Sequence, residues 1–245
     1  MGFLQRLLKK EESKKLVCAA VVPAAGSSQR MGGENKLLLP LDGVPVIVRT
    51  VQALEAAQSI SEIVIATREC DMLAIADVLK AFGIRKPLRI VVGGESRLHS
   101  VYNACLQIDA AVPLIAVHDG GRPLVTPALI DRTVEQAAKC FAAAPAIPVK
   151  DTIKQAKEGI VTETPRRSEL FAVQTPQVFD GALLKAALQS AIEENAEVTD
   201  DCSCVERLGK QIYLTEGDEE NIKITTPLDV KIAQAILERR MENGL

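Results

Sequence analysis

A layered α/β domain built on a largely parallel sheet is the fold this sequence predicts. Short β-branched apolar runs recur along the chain, and amphipathic stretches with helical spacing fill the gaps between them. Composition agrees: 47% hydrophobic and 25% charged residues with a formal net charge of −3 describe a globular chain with an aliphatic core. At 245 residues the chain fits one large domain, and no linker forces a split.

The runs Val17 to Val22, Glu62 to Thr67, Arg89 to Val92, Leu114 to His118 and Ala144 to Pro148 read as strands. The first is apolar throughout, as a strand covered on both faces must be. Val44, Ile47, Val48, Val51 and Leu54 fall at helical spacing, with Pro45 tolerated in the first turn. Asp71 to Phe82, Ser96 to Ile108 and Thr126 to Phe141 follow the same pattern, the last with Thr126 as N-cap and Pro127 opening the helix. Thr226-Pro227-Leu228-Asp229 repeats that start signal, after a short predicted strand at Asn221 to Thr225.

The section from Val149 to Val173 breaks the alternation. Asp151 to Lys154 and Ile160 to Glu163, around Lys157-Glu158-Gly159, predict a β-hairpin too polar on both faces to be core. A projecting arm that packs against a second copy explains it; a plain surface hairpin is the simpler alternative. The domain is therefore expected over residues 16–245, with the arm at about 149–173 and a basic extension at residues 1–15. That extension includes Glu11 and Glu12 and lacks a long apolar core, and Arg6 stands where an N-myristoylation signal needs Ser or Thr.

Several function classes are disfavoured. The slightly negative charge offers no footprint for nucleic acid, and no Trp and only 3% aromatics leave few stacking platforms. No run reaches transmembrane length, so no membrane partner is expected. Six cysteines form no Cys-x-x-Cys pair and histidines number two, which disfavours zinc and suits a reduced cytoplasmic protein. No Walker loop, Gly-x-Gly-x-x-Gly turn or Gly-x-Ser-x-Gly elbow is present.

Ligands of a parallel α/β sheet sit beyond the carboxyl ends of its strands, and the residues there are polar and consistent in kind. The first strand ends at Pro23-Ala24-Ala25-Gly26, where small side chains let backbone N–H groups approach an anion or a base edge. Arg30 and Lys36 follow, a planar fork and a compact ammonium suited to different oxygens of one triphosphate. The third strand runs into Gly93-Gly94-Glu95-Ser96-Arg97, with Ser100 a turn further on, and the fourth into His118-Asp119-Gly120-Gly121-Arg122-Pro123. His118 reads as a strand-end histidine satisfied by its neighbours, whereas Asp119 has few core uses and could approach Mg²⁺ or a substrate hydroxyl. Lys223, in Asn221-Ile222-Lys223, brings another cation near a strand end.

Taken with Val149 to Lys154, Gln174-Thr175-Pro176-Gln177 and Thr199-Asp200-Asp201, these motifs resemble, in order, the 2-C-methyl-D-erythritol 4-phosphate cytidylyltransferase family. The resemblance runs from about Leu16 to the C-terminal helix and implies a Rossmann-like nucleotidyltransferase domain with a projecting arm, acting as a homodimer. It implies transfer of CMP from CTP, bound with Mg²⁺, to a sugar-alcohol phosphate. Arg30, Lys36 and Lys223 would then hold and neutralise the phosphates. Ala24, Ala25, Gly26, Gly94, Glu95 and Ser100 would surround the cytidine. Asp119 and Arg122 would hold the acceptor together with Thr152 and a catalytic Arg167 from the neighbouring arm, and Thr199 would lie on the acceptor side. Mg²⁺ would be held mainly by phosphate oxygens and water, with Asp119 the one candidate protein ligand.

Some positions depart from the family's pattern. The Met31–Lys36 spacing is one residue short, Gly120-Gly121 stands where Ala-Ala or Gly-Ala is usual, and Phe171 sits where Trp is favoured. No charged position is lost. Ribitol 5-phosphate cytidylyltransferases resemble the same motifs and differ in acceptor, and a non-catalytic nucleotide-binding regulator is the rival from another class.

Overall fold

The computed structural model describes residues 16–26 and 35–243. The predicted extension at 1–15 and Arg30 therefore lie outside the described residues. The strands are β1 (Cys18–Pro23), β2 (Pro40–Leu41), β3 (Val44–Pro45), β4 (Ile60–Thr67), β5 (Leu88–Val92), β6 (Leu114–Val117), β7 (Ala142–Pro148), β8 (Gln155–Lys157), β9 (Ile160–Glu163), β10 (Phe171–Val173), β11 (Gln177–Asp180) and β12 (Tyr213–Glu216). The helices are α1 (Val46–Ala56), α2 (Met72–Ala81), α3 (Arg97–Cys105), α4 (Pro127–Cys140), α5 (Gly181–Glu193), α6 (Asp201–Arg207) and α7 (Pro227–Glu242).

Eight strands form the central sheet. β1 lies between β4 and β6, parallel to both, and β5 extends the parallel set beyond β4. Because successive strand residues face opposite ways, Cys18, Ala20 and Val22 pack with α1 and α4, while Ala19 and Val21 pack with α3 and α5. Three layers result, as the recurring apolar runs require. β11 departs from the parallel rule: it runs antiparallel between β6 and β7, with β10 antiparallel and β12 parallel against β7. Thr126 caps α4 by accepting the Leu129 N–H, and Thr226 caps α7 in a capping box with Asp229, both as the sequence predicts.

Three expectations are corrected. The first helix begins at Val46, not Val44, because Asp42 and Gly43 take positive φ (53° and 73°) and turn Pro40–Leu41 back onto Val44–Pro45. The segment Asn221 to Thr225 is not a strand; its Ile224 N–H donates to the Gly121 carbonyl, and the strand before the last helix is β12. In the arm, β8 occupies Gln155–Lys157 rather than Asp151 to Lys154. Glu158 and Gly159 form a two-residue turn with φ of 52° and 80°, which fixes Lys157 opposite Ile160 and so sets the register. Every residue of β8 and β9 is exposed.

Candidate active site

The carboxyl ends of β1, β5 and β6 open on a cavity of about 360 Å³. Its floor on one side is nearly all backbone. The Ala24 N–H donates to Ala66 O at 2.7 Å and the Gly93 N–H to Thr67 O at 2.7 Å, so the chain leaves β1 and β5 through short, fixed turns. A Cβ on Gly93 would lie 2.8 Å from Ser100 Oγ, and one on Gly94 only 2.3 Å from the His99 Cβ. Both positions therefore need glycine for close approach, independently of φ. Ser100 is buried; its Oγ accepts the Gly94 N–H at 3.0 Å and donates to Ser96 O at 2.8 Å. It shapes the glycine loop as well as lining the cavity. Glu95 is exposed, 3.6 Å from His99 Nε2.

The opposite side is made of charged side chains around Asp119. Lys223 Nζ stands 2.9 Å from Asp119 Oδ2, and Arg122 Nε and an Arg97 terminal nitrogen each lie 3.6 Å from its carboxylate. Burial alone would raise the Asp119 carboxyl, but Lys223, Arg97 and Arg122 outweigh it and hold the group well below the ordinary carboxylate range. Arg97 also grips buried Asp201 bidentately, at 3.0 and 2.7 Å. Burial raises Asp201 despite Arg97, and burial lowers Arg122 despite Asp119. Arg122 donates to Asn221 O at 2.5 Å, while its Nε, buried, has no hydrogen-bond partner among the described residues. Lys36 faces this cluster across Gly121 and donates to Ile224 O at 2.8 Å.

Most predicted residues converge: Ala24, Ala25, Gly26, Lys36, Gly94, Glu95, Ser100, Asp119 and Lys223 all line the cavity. Arg122 reaches it through Asp119. Thr152 and Arg167 do not line it. Both are exposed at the base of the arm, where Arg167 donates to Lys150 O at 3.0 Å. Thr199 also stands apart, behind Arg97 and beside Asp200, with its N–H on Ser203 Oγ at 3.3 Å. Arg97, which opens α3 directly after the Ser96 N-cap, has no role legible in the sequence. Its partner Asp201 lies 104 residues away, a pairing that spacing does not reveal.

A largely parallel sheet that presents bare backbone on one side of a cavity and clustered cations on the other defines a Rossmann-like nucleotidyltransferase fold. The family model for 2-C-methyl-D-erythritol 4-phosphate cytidylyltransferase matches residues 18–239. Proteins of that name from Bacillus cereus and Synechocystis are each 44% identical to this chain, over 216 and 220 residues, covering 88% and 89% of it and 95% and 96% of themselves. Among solved structures, the 4-diphosphocytidyl-2C-methyl-D-erythritol synthase of Anaerococcus prevotii superposes with a TM-score of 0.82 at 30% identity, covering 91% of this chain and 99% of that one. The Francisella tularensis 2-C-methyl-D-erythritol 4-phosphate cytidylyltransferase gives 0.76 at 28%, covering 89% and 99%. The chain belongs to the 2-C-methyl-D-erythritol 4-phosphate cytidylyltransferase family. It is an enzyme that uses CTP to form 4-diphosphocytidyl-2-C-methyl-D-erythritol in isoprenoid biosynthesis, which selects this acceptor over ribitol 5-phosphate and catalysis over a binding-only role.

Proposed function

We propose that the cavity splits into a nucleotide half and an acceptor half, and that the reaction is in-line attack by an acceptor phosphate oxygen on the α-phosphorus of CTP with departure of pyrophosphate. The observation that carries this reading is the convergence of Lys223, Arg97 and Arg122 on one carboxylate, with Lys36 opposite, in a cavity with a backbone floor. Phosphoryl and nucleotidyl transfer ask for positioning and charge neutralisation more than for a covalent nucleophile. Ala24, Ala25, Gly26, Gly94, Glu95 and Ser100 surround the cytidine in this reading. Lys36, with Arg30, neutralises the triphosphate, and Lys223 holds the reacting phosphates. Asp119 and Arg122 hold the acceptor, with Arg122 acting beside Asp119, to whose carboxylate its Nε is paired.

Mg²⁺ enters as part of the CTP substrate. Among the described residues no three His, Cys, Asp or Glu side chains group as a metal site, and the Asp119 carboxylate already faces three cations. Phosphate oxygens and water suit the ion better than this chain's carboxylates do. Thr152 and Arg167 are exposed and stand outside their own chain's cavity, which supports a homodimer in which each arm supplies them to its neighbour. Thr199, whose N–H bonds Ser203 Oγ at the start of α6, would act through that helix start rather than on the acceptor directly. Residues 16–245 act as one domain in this reading, and the cytoplasm suits its six free cysteines. Among the described residues no helix is long and apolar enough to cross a membrane.

The test is pyrophosphate release from CTP and Mg²⁺ with 2-C-methyl-D-erythritol 4-phosphate or ribitol 5-phosphate as acceptor. Release with the first and little with the second is expected. Preference for the second would overturn the acceptor assignment, and CTP binding without release would overturn the mechanism.

A further inference from the structure

The segment Gln174-Thr175-Pro176-Gln177 contributes no side chain to the cavity, yet its polar side chains are almost fully buried. We propose that Gln174, Thr175 and Gln177 are positioning residues that join the loops after β6 and β12 to the start of α6 and thereby set the geometry of the acceptor half. The proposal rests on the assignment of Asp119 and Arg122 to the acceptor.

Gln174 grips the loop that carries Lys223: its Nε2 donates to Asp218 O at 2.7 Å, and its Oε1 accepts the Asp218 N–H at 3.1 Å. Gln177 grips the start of α6: its Oε1 accepts the N–H groups of Asp201 and Cys202, and its Nε2 donates to Asp200 Oδ2 at 2.7 Å. Asp201 is thus held where Arg97 can bridge it to Asp119.

Thr175 holds the loop after β6, and the direction of every proton there can be assigned. His118 is wholly buried, with Arg122 O and the Thr175 hydroxyl as the hydrogen-bond partners of its two ring nitrogens and no carboxylate bonded to it, so its ring is neutral and carries one N–H. Nε2 lies 3.3 Å from Arg122 O, an acceptor only, so the proton is on Nε2. Nδ1 must then accept from the Thr175 hydroxyl at 3.1 Å, which leaves the Thr175 oxygen to accept the Asp119 N–H at 3.1 Å. The Thr175 carbonyl accepts from Asn221 Nδ2 at 2.9 Å, and Asn221 O accepts from Arg122. One threonine therefore fixes both ends of the Asp119–Arg122 loop and its link to the Lys223 loop.

Buried hydrogen bonds with no slack of this kind are costly to break, because the partners left behind have no water to turn to. Thr175→Val, which keeps shape and removes the hydroxyl, is expected to raise the acceptor KM by about tenfold or more and to leave the CTP KM within about twofold. Thr175→Ser, which restores the hydroxyl, should return the acceptor KM to within about threefold of the parent. Nitrogen NMR of the intact protein, which holds two histidines, should find His118 neutral with its proton on Nε2 at pH 7. Equal rises in both KM values, a serine variant as impaired as valine, or a His118 proton on Nδ1 would each overturn the proposal. Asp119→Asn separates it from its premise: an unchanged acceptor KM there removes the acceptor assignment itself, whereas a raised one beside a normal Thr175→Val enzyme removes only the role of the segment.

Discussion

The two halves of the cavity are built in different ways. The nucleotide half is local: Pro23 to Gly26 and Gly93 to Ser100 shape it through bare backbone, tight turns and a helix cap within a few residues of each strand end. The acceptor half is distant. Asp119 meets Lys223, Arg97 meets Asp201, and Arg122 meets Asn221, each pairing across about a hundred residues, and Arg97 reaches Asp119 from a different strand end. A backbone cradle tolerates many surroundings but no added Cβ. A cluster of buried charges tolerates no missing partner.

This difference gives a ranked set of outcomes. The largest belongs to Lys36→Ala, which removes a cation facing the phosphates: turnover should fall by about 10²–10³, the scale of losing one preorganised donor, with the melting temperature little changed. Near-normal pyrophosphate release from that variant would end the role given to Lys36. Next, Gly94→Ala places a methyl against the His99 Cβ, and the strain should weaken CTP binding about tenfold by calorimetry. Unchanged CTP affinity would mean that the loop gives way freely.

The pH dependence should report the acceptor half. His118 stays neutral in the folded protein down to about pH 4, whereas an unfolded histidine titrates near its ordinary value, so between those limits the unfolded state binds the extra proton. Stability therefore falls as pH drops from about 6.5 to about 4, by roughly 3 kcal/mol from this residue alone, and Asp119, held low, removes more only at still lower pH. Denaturant melts across that range check the slope, and a His118→Gln protein should flatten it. The smallest effect is expected at Glu95, an exposed carboxylate near His99: Glu95→Gln should change stability by no more than about 0.5 kcal/mol, read from its melt.

Legibility in the sequence follows the same division. Apolar runs, helical spacing and the Thr-Pro caps announce the layers because each depends on neighbours within one element. Ala24 to Gly26 and the glycine pair are readable for the same reason. β11 is not: nothing in Gln177 to Asp180 marks it as antiparallel between two parallel strands. Likewise Gln174 and Gln177 stand out as a motif, but their work, holding Asp218 and Asp201, exists only once the loops meet. Arg97 stands beside the glycine pair in the sequence, but what it does depends on a carboxylate more than a hundred residues on.

The most direct test of two separately built halves is a grid of initial rates of pyrophosphate release, varying CTP and acceptor together, for Lys36→Ala and Asp119→Asn. Lys36→Ala is expected to lower kcat with the acceptor KM unchanged, and Asp119→Asn to raise the acceptor KM about tenfold or more with the CTP KM unchanged. Both variants losing the same parameter to the same extent would contradict separately built halves.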